Sequence, residues 1–281
     1  MRAETQTYTE TSYRSGVRPT WCPGCGNFAV LSATCRALTE LQIPPEQVVA
    51  VSGIGCSSRI PYFYSTYGVH GLHGRSIPLA TGVKLARPEL QVLVFGGDGD
   101  LAGIGANHLV HAARRNTGIT VVLMDNQVYG LTKAQFSPTS RRGQVTRSSP
   151  YGTVEGSMSP VLLALAAGAT FVGRSFSGHP RQIQELLVQA IRHVGFSLLH
   201  VYSPCREWND TSAYYHEHGE EIGPDHDFTD LGEAVRLALD TTREYMGLFY
   251  RVERPAYEDE IRRLVEKQVP FGLAEHLSRY R

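Results

Sequence analysis

FGGDGDLAGIGANHLVHAARRNTGITVVLMDNQVYGLT, residues 95–132, decides the fold. A short apolar strand ends in Gly96-Gly97-Asp98-Gly99-Asp100, a helical run follows, and a second strand from Thr120 ends in Asp125-Asn126 before the loop Gln127-Val128-Tyr129-Gly130-Leu131-Thr132. One βαβ unit thus brings a carboxylate and a carboxamide to the ends of two parallel strands, the edge of an open sheet where ligands bind. Glycines around Asp98 let the backbone approach a ligand, and Asp98 and Asn126 are hard oxygen donors of the kind that hold Mg²⁺ against a diphosphate. Asp98 could instead cap the following helix, but Asn126 at a matching distance favours the metal role. Asp100 and Leu101 open a helix whose positive end would face the diphosphate.

Outward from this unit the same pattern repeats. Trp21-Cys22-Pro23-Gly24-Cys25-Gly26 is a tight turn feeding a helix in which Phe28, Leu31, Cys35 and Leu38 recur on one face. Residues 47–52 read as a buried strand ending in Gly53-Ile54-Gly55-Cys56-Ser57-Ser58-Arg59. A helix over 76–86 closes at Arg87-Pro88, and 133–157 form a long Ser, Thr, Gly, Pro and Arg loop of the kind kept for lids or partner contact. Helices over 160–167 and 179–194 and strands over 170–172 and 197–202 follow, the last strand ending in Ser203-Pro204-Cys205. Beyond it, 209–230 read as a polar loop, and 231–246 and 257–269 as helices. The alternation predicts an α/β fold, a parallel sheet with right-handed crossovers and helices on both faces, plus a C-terminal helical extension. The expected division is a leader over 1–19, one domain over 20–208 and the extension over 209–281. Loops at 53–59, 96–100, 125–132 and 203–205 each follow a strand, so they should converge on one sheet edge.

The 281 residues suffice for one sizeable core, and 27 basic against 27 acidic residues give no sign of a nucleic-acid or membrane-surface partner. The polar first twenty residues lack a signal-peptide core, and the longest apolar run, near 161–172, is too short to span a bilayer. A cytoplasmic location is expected, where five cysteines serve as ligands, nucleophiles or core residues rather than disulfides.

Cys22 and Cys25 form a CxxC, Cys56 follows the first sheet strand and Cys205 the last. Four such thiolates suit a four-iron four-sulfur cluster or a zinc ion, and spacing alone does not separate them. A thioredoxin-like redox reading is weaker, because that motif follows a strand and this one follows a polar leader. Cys35, on the apolar stripe of its helix, reads as a small core hydrophobe.

Gly97-Asp98-Gly99 followed after twenty-six residues by Asn126 is the thiamine diphosphate fingerprint. GDGDLAGIGANHLVHAARRN, DNQVYGLT, SPTS, WCPGCGN and GIGC resemble the β subunits of the 2-oxoacid:ferredoxin oxidoreductases, the kind that includes 2-oxoglutarate synthases. The resemblance is dense over 20–205 and weak beyond. It implies thiamine diphosphate held through Mg²⁺ by Asp98, Asn126 and the Val128 carbonyl. It implies one four-iron cluster on Cys22, Cys25, Cys56 and Cys205. The cofactor surround it implies is Ile54, Gly55, Cys56, Ser57, His73, Gly97, Asp98, Gly99, Asp100, Asn126, Val128, Tyr129, Gly130, Leu131 and Thr132. Most thiamine enzymes carry paired asparagines where this chain has Asp125-Asn126, so the ligand role is carried to Asn126 only.

The implied reaction is oxidative decarboxylation of a 2-oxoacid with coenzyme A to acyl-CoA and CO₂, with electrons passed to ferredoxin. No motif supplies the glutamate that activates the thiamine ring, so it should come from an α subunit, giving an α2β2 enzyme inactive as the single chain. Arg59 and Lys133, just beyond two cofactor loops, would favour a dicarboxylate such as 2-oxoglutarate over pyruvate. The bland reading makes them solvated loop charges. His108 and His111 read as helix packing, Arg141, Arg142 and Arg147 as loop charges or contacts for coenzyme A phosphates, and His216, His218 and His226 stay unassigned. Two other classes remain: a non-redox thiamine decarboxylase or carboligase subunit with a structural zinc, and a thiamine-free thiol-exchange or structural protein.

Overall fold

The computed structural model describes residues 7–267 together with 277, 278 and 280. Asn27–Leu41 form α1, Val48–Ser52 β1, Tyr67–His70 β2, Ser76–Ala86 α2, Gln91–Gly97 β3, Ala106–Arg115 α3 and Thr120–Asp125 β4. A small hairpin, Val128–Tyr129 (β5) with Gln135–Phe136 (β6), precedes Pro160–Ala166 (α4), Phe171–Phe176 (β7), Pro180–Arg192 (α5) and Ser197–Tyr202 (β8). Then come Ser212–His218 (α6), Gly219–Glu221 (β9), Leu231–Leu239 (α7), Glu244–Arg251 (β10) and Tyr257–Glu266 (α8).

The main sheet has the order β2-β1-β3-β4-β8-β7-β10-β9. Pairing is parallel from β2 through β7, as the alternation predicts. Every residue of β1, β4, β7 and β8 is buried, the mark of strands covered on both faces. Period-two alternation splits the side chains between two cores. Val48, Ala50, Leu93, Phe95, Val122, Met124, Leu199 and Val201 meet α1 and α5 on one face, with Cys35 among them as expected. Val49, Val51, Val92, Val94, Val121, Leu123 and Leu198 meet α2, α3, α4 and α7 on the other.

Three expectations are corrected. The C-terminal extension is not wholly helical: α7 stops at Leu239, and residues expected to continue it form β10, antiparallel to β7. Gly247, at φ +136 in a backbone region that favours glycine, lies in this strand. The polar stretch 209–230 holds α6 and β9, and β9 pairs parallel with β10. The helix after Asp98 is broken: a wide turn over Gly99–Ile104, kinked at Gly103, precedes α3. The expected last helix is present as α8, its final residues 268 and 269 lying outside the described residues, as do residues 1–6 of the leader. Among the described residues no helix is long and apolar enough to cross a membrane.

Candidate functional site: the strand-end cavity and its cysteine neighbours

Parallel register sets the site. Gly97 of β3 lies opposite Met124 of β4, so the next residues, Asp98 and Asp125, leave the sheet side by side, and Asp125 itself lies opposite Tyr202 of β8. The loops at 53–59, 96–100 and 125–132 all leave from this edge. They enclose a cavity of about 220 Å³ lined by Ile54, Gly55, Cys56, Ser57, His73, Gly97, Asp98, Gly99, Asp100, Asn126, Val128, Tyr129, Gly130, Leu131 and Thr132. The structure thus brings the fifteen expected cofactor residues together. A larger concavity, about 670 Å³ and lined by Arg192, Arg251, Arg254 and Arg263 among others, lies at the opposite edge, away from the strand ends where open sheets bind ligands.

Asp98 is 1% exposed and makes no capping hydrogen bond with its side chain, which sets the capping reading aside. The Thr139 hydroxyl lies 2.7 Å from Asp98 Oδ2 and 2.8 Å from Asp125 Oδ1. Asp125 Oδ1 also accepts from the Gln127 amide at 2.9 Å, and Oδ2 lies 2.9 Å from His200 Nε2. Burial, with the Asp125 carboxylate next, pushes Asp98 up to about 7. One hydroxyl proton cannot serve two carboxylates at once, so this buried pair carries negative charge that a cation would relieve. Asn126 Oδ1 accepts from the Val128 amide at 3.1 Å, which folds the loop back so that Asp98, Asn126 and Val128 border one cavity. The carboxylate of Asp98 and the carboxamide of Asn126 are donors of the type that a hard divalent ion takes. Among the described residues no group of three or more His, Cys, Asp or Glu side chains is disposed to hold a metal ion by itself; a carboxamide and a backbone carbonyl fall outside such a group.

Asp100, 2% exposed, collects three donors on Oδ1: the Gly74 amide at 2.7 Å, His73 Nδ1 at 2.8 Å and the Ile54 amide at 3.0 Å. His73 thereby has its ring orientation and Nδ1–H tautomer set, as carboxylates do for functional histidines. Gly99 is required by close approach, since a Cβ there would lie 2.1 Å from the Tyr129 ring, whose hydroxyl donates to the Gly99 carbonyl at 3.2 Å.

The cysteines of interest gather beside this cavity. Cys56 lines it, and a Cβ on Gly130 would stand 3.6 Å from Cys205 Sγ. Trp21 Nε1 donates to the Cys56 carbonyl at 2.6 Å and the Gly26 amide to the Pro204 carbonyl at 3.5 Å, tying the CxxC turn to the other two loops. Burial pushes the Cys25 thiol up to about 12, against an amide hydrogen bond at Asn27, and the sulfurs of Cys205, Cys56 and Cys22 add to the rise. Cys56 is likewise raised, by burial and then by Cys205. The four sulfurs are near enough to perturb one another and are soft donors by chemistry, but among the described residues they too form no group disposed to hold a metal ion.

Other expected residues lie elsewhere. Arg59 is half-buried and donates to Thr20 Oγ1 at 3.3 Å, Lys133 is exposed, and neither lines the cavity. Arg141 stacks over Tyr214 at 3.7 Å and Arg147 over Trp208 at 5.3 Å. His216 meets Phe176 edge-on, His218 stacks on Tyr214, and His226 lies 2.8 Å from the Phe249 carbonyl, so the three are not brought together. Sequence reasoning gave no role to Thr139, Asp125 or His200: Thr139 lies in SPTS, a motif with no assigned task, Asp125 lies beside Asn126 without the ligand role, and His200 falls in no motif.

Such a sheet, with an acidic glycine loop and an asparagine loop at adjacent strand ends, defines a thiamine diphosphate enzyme fold. Residues 44–201 match the family described as thiamine pyrophosphate enzyme, C-terminal TPP binding domain, and residues 207–266 match the C-terminal family of the pyruvate ferredoxin oxidoreductase beta subunit. The 2-oxoacid:ferredoxin oxidoreductase subunit beta of Sulfolobus sp. is 44% identical over 86% of this chain and 85% of its own. The 2-oxoglutarate synthase subunit KorB of Methanocaldococcus jannaschii is 40% identical over 88% of this chain and 93% of its own. A solved 2-oxoglutarate:ferredoxin oxidoreductase from Magnetococcus marinus, with 2-oxoglutarate, coenzyme A and succinyl-CoA bound, superposes with a TM-score of 0.93 at 41% identity, over 99% of this chain and 98% of that one. The chain belongs to the β subunits of the 2-oxoacid:ferredoxin oxidoreductases.

Proposed function

We propose that this β subunit serves a cytoplasmic enzyme that oxidatively decarboxylates 2-oxoglutarate with coenzyme A and passes the electrons to ferredoxin. The observation that carries this reading is a strand-end cavity with buried Asp98 on one wall and Cys56 on another. Relatives and a solved neighbour named for 2-oxoglutarate support the substrate.

Asp98, Asn126 and the Val128 carbonyl would hold Mg²⁺ against the cofactor diphosphate. His73, oriented by Asp100, would present its remaining ring nitrogen at the cavity, and Cys22, Cys25, Cys56 and Cys205 would ligate one four-iron cluster. Thiamine diphosphate, when bound, supplies the carbanion chemistry for loss of CO₂. Arg59 and Lys133, next to the cavity-lining loops, would meet the distal carboxylate of a dicarboxylic substrate. The residues lining the cavity include no glutamate to activate the thiamine ring, which supports completion of the site by an α subunit in an α2β2 assembly. Residues 20–208 form the cofactor domain, preceded by a leader over 1–19. The extension over 209–281 completes the sheet through β10.

The test is anaerobic purification with the α partner. About four irons per β chain are expected from a four-iron cluster, together with CoA-dependent ferredoxin reduction that prefers 2-oxoglutarate to pyruvate. A colourless protein with one zinc would favour the non-redox thiamine reading instead. Replacement of both Arg59 and Lys133 by Leu should lower the 2-oxoglutarate to pyruvate ratio of kcat/KM.

A further inference from the structure

In Ser137-Pro138-Thr139-Ser140 three residues are buried, with Ser137 3%, Thr139 1% and Ser140 4% exposed. Its members do not simply satisfy one another. Ser140 Oγ donates to the Gln127 carbonyl at 2.6 Å, the Met158 amide to the Pro138 carbonyl at 2.8 Å, and Ser157 Oγ to the Thr139 carbonyl at 2.8 Å. The segment is thus pinned between the loop after β4 and residues 157–158. From that position Thr139 reaches two acidic side chains on adjacent strands. The helical threonines Thr34, Thr39 and Thr81 return the hydroxyl to a carbonyl four residues back, at Val30, Cys35 and Ile77. Thr139 directs its hydroxyl to Asp98 and Asp125 instead.

We infer that Thr139 is a positioning residue for the divalent ion. It fixes the rotation of the Asp98 carboxylate through Oδ2. Through Asp125 Oδ1, which also receives the Gln127 amide, it fixes the start of the loop that carries Asn126 and the Val128 carbonyl. Seated 2.7 Å from one carboxylate and 2.8 Å from the other, and able to donate to one at a time, the hydroxyl bridges donors from two strands. The inference rests on Asp98, Asn126 and Val128 holding Mg²⁺. Second-layer contacts of this kind are worth about 10–100-fold in metal affinity.

The test uses the assembled α and β subunits, stripped of metal and cofactor and titrated with Mn²⁺ and thiamine diphosphate while free Mn²⁺ is read by electron paramagnetic resonance. Thr139→Val keeps the shape and removes the hydroxyl, and should weaken Mn²⁺ about 10–100-fold. Thr139→Ser restores the hydroxyl and should bind within about threefold of wild type, as separable effects do. At saturating Mn²⁺ the kcat of Thr139→Val should return toward wild type, since the hydroxyl acts on binding. Should the Val variant fail to assemble, Thr139→Ala is titrated in its place. Unchanged Mn²⁺ affinity in the hydroxyl-free variant, or Ser binding as weakly as Val, overturns the inference. Asp98→Ala separates the two levels: its binding wild-type Mn²⁺ would remove the metal reading itself. Lost binding there beside an unaffected Thr139→Val would remove only the role of Thr139.

Discussion

Asp98 and Asp125 leave neighbouring strands side by side and share the one Thr139 hydroxyl of a third segment. Cys22, Cys25, Cys56 and Cys205 come from three loops, and their sulfurs range from exposed to half-buried. The oxygen end of the site is ordered by sheet register, which the main-chain ladder sets whatever the ligand. The sulfur end is ordered by a few loop contacts, such as Trp21 to the Cys56 carbonyl. On the proposed reading, an ion with strict octahedral demands would be met by donors placed in advance, and cysteines gathered by loops would adjust to the group they ligate.

The sharpest way to break this contrast is to damage one end and measure the other. Cys25→Ser in the assembled enzyme should abolish ferredoxin reduction and lower iron content, while Mn²⁺ and thiamine diphosphate affinity stay within about threefold, as expected for separate sites. A joint loss would mean that the two ends fold as one.

The next effect concerns the cost of burying Asp98 beside Asp125. Asp98 is raised from an ordinary 3.8 to about 7. Between those values the folded chain keeps a proton that the unfolded chain has released. Metal-free stability from this group is therefore full below pH 3.8 and falls as pH rises through 7. Asp98→Asn should melt above wild type at pH 8 without metal, converge with it toward pH 4, and bind Mn²⁺ at least about a hundredfold more weakly. A variant that melts lower than wild type at pH 8 would show that the carboxylate is not under strain.

The smallest effect lies away from both ends and separates acid unfolding from loss of metal. Burial, with Arg251 adding, takes His193 down from 6.5 to about 4, and its Nε2 lies 2.8 Å from Thr170 Oγ1. The unfolded chain takes up a proton between those values that the folded chain refuses, so this contribution is full above pH 6.5 and lost as pH falls toward 4. The melting temperature should fall by a few degrees over that window, and His193→Gln should flatten part of the fall.

The central strands are legible because VVAVS at β1 and TVVLMD at β4 are unbroken runs of β-branched and apolar residues. The cavity residues are legible for the same reason, since each follows such a run and parallel strands end together. What is hidden depends on distant partners. EYMGLFYR at β10 follows the amphipathic helix α7 closely and becomes a strand because β7 offers it an edge. The break after Asp98 has a local signal, three glycines between Gly99 and Gly105, that the periodicity of the following helix masks. Thr139 has no local signal for its contact with Asp98, forty-one residues away.

The antiparallel β10 also bears on how the protein is made. Chains emerge from the ribosome N-terminus first, and β7 is synthesised well before the strand that covers its outer edge. Until Arg251 has cleared the exit tunnel, a nascent chain that already holds both aspartates and all five cysteines still carries an open sheet edge able to pair with its neighbours. The last third of translation is therefore the interval of greatest aggregation risk, and slower synthesis or chaperone supply at that stage should govern yield more than any residue in the cavity.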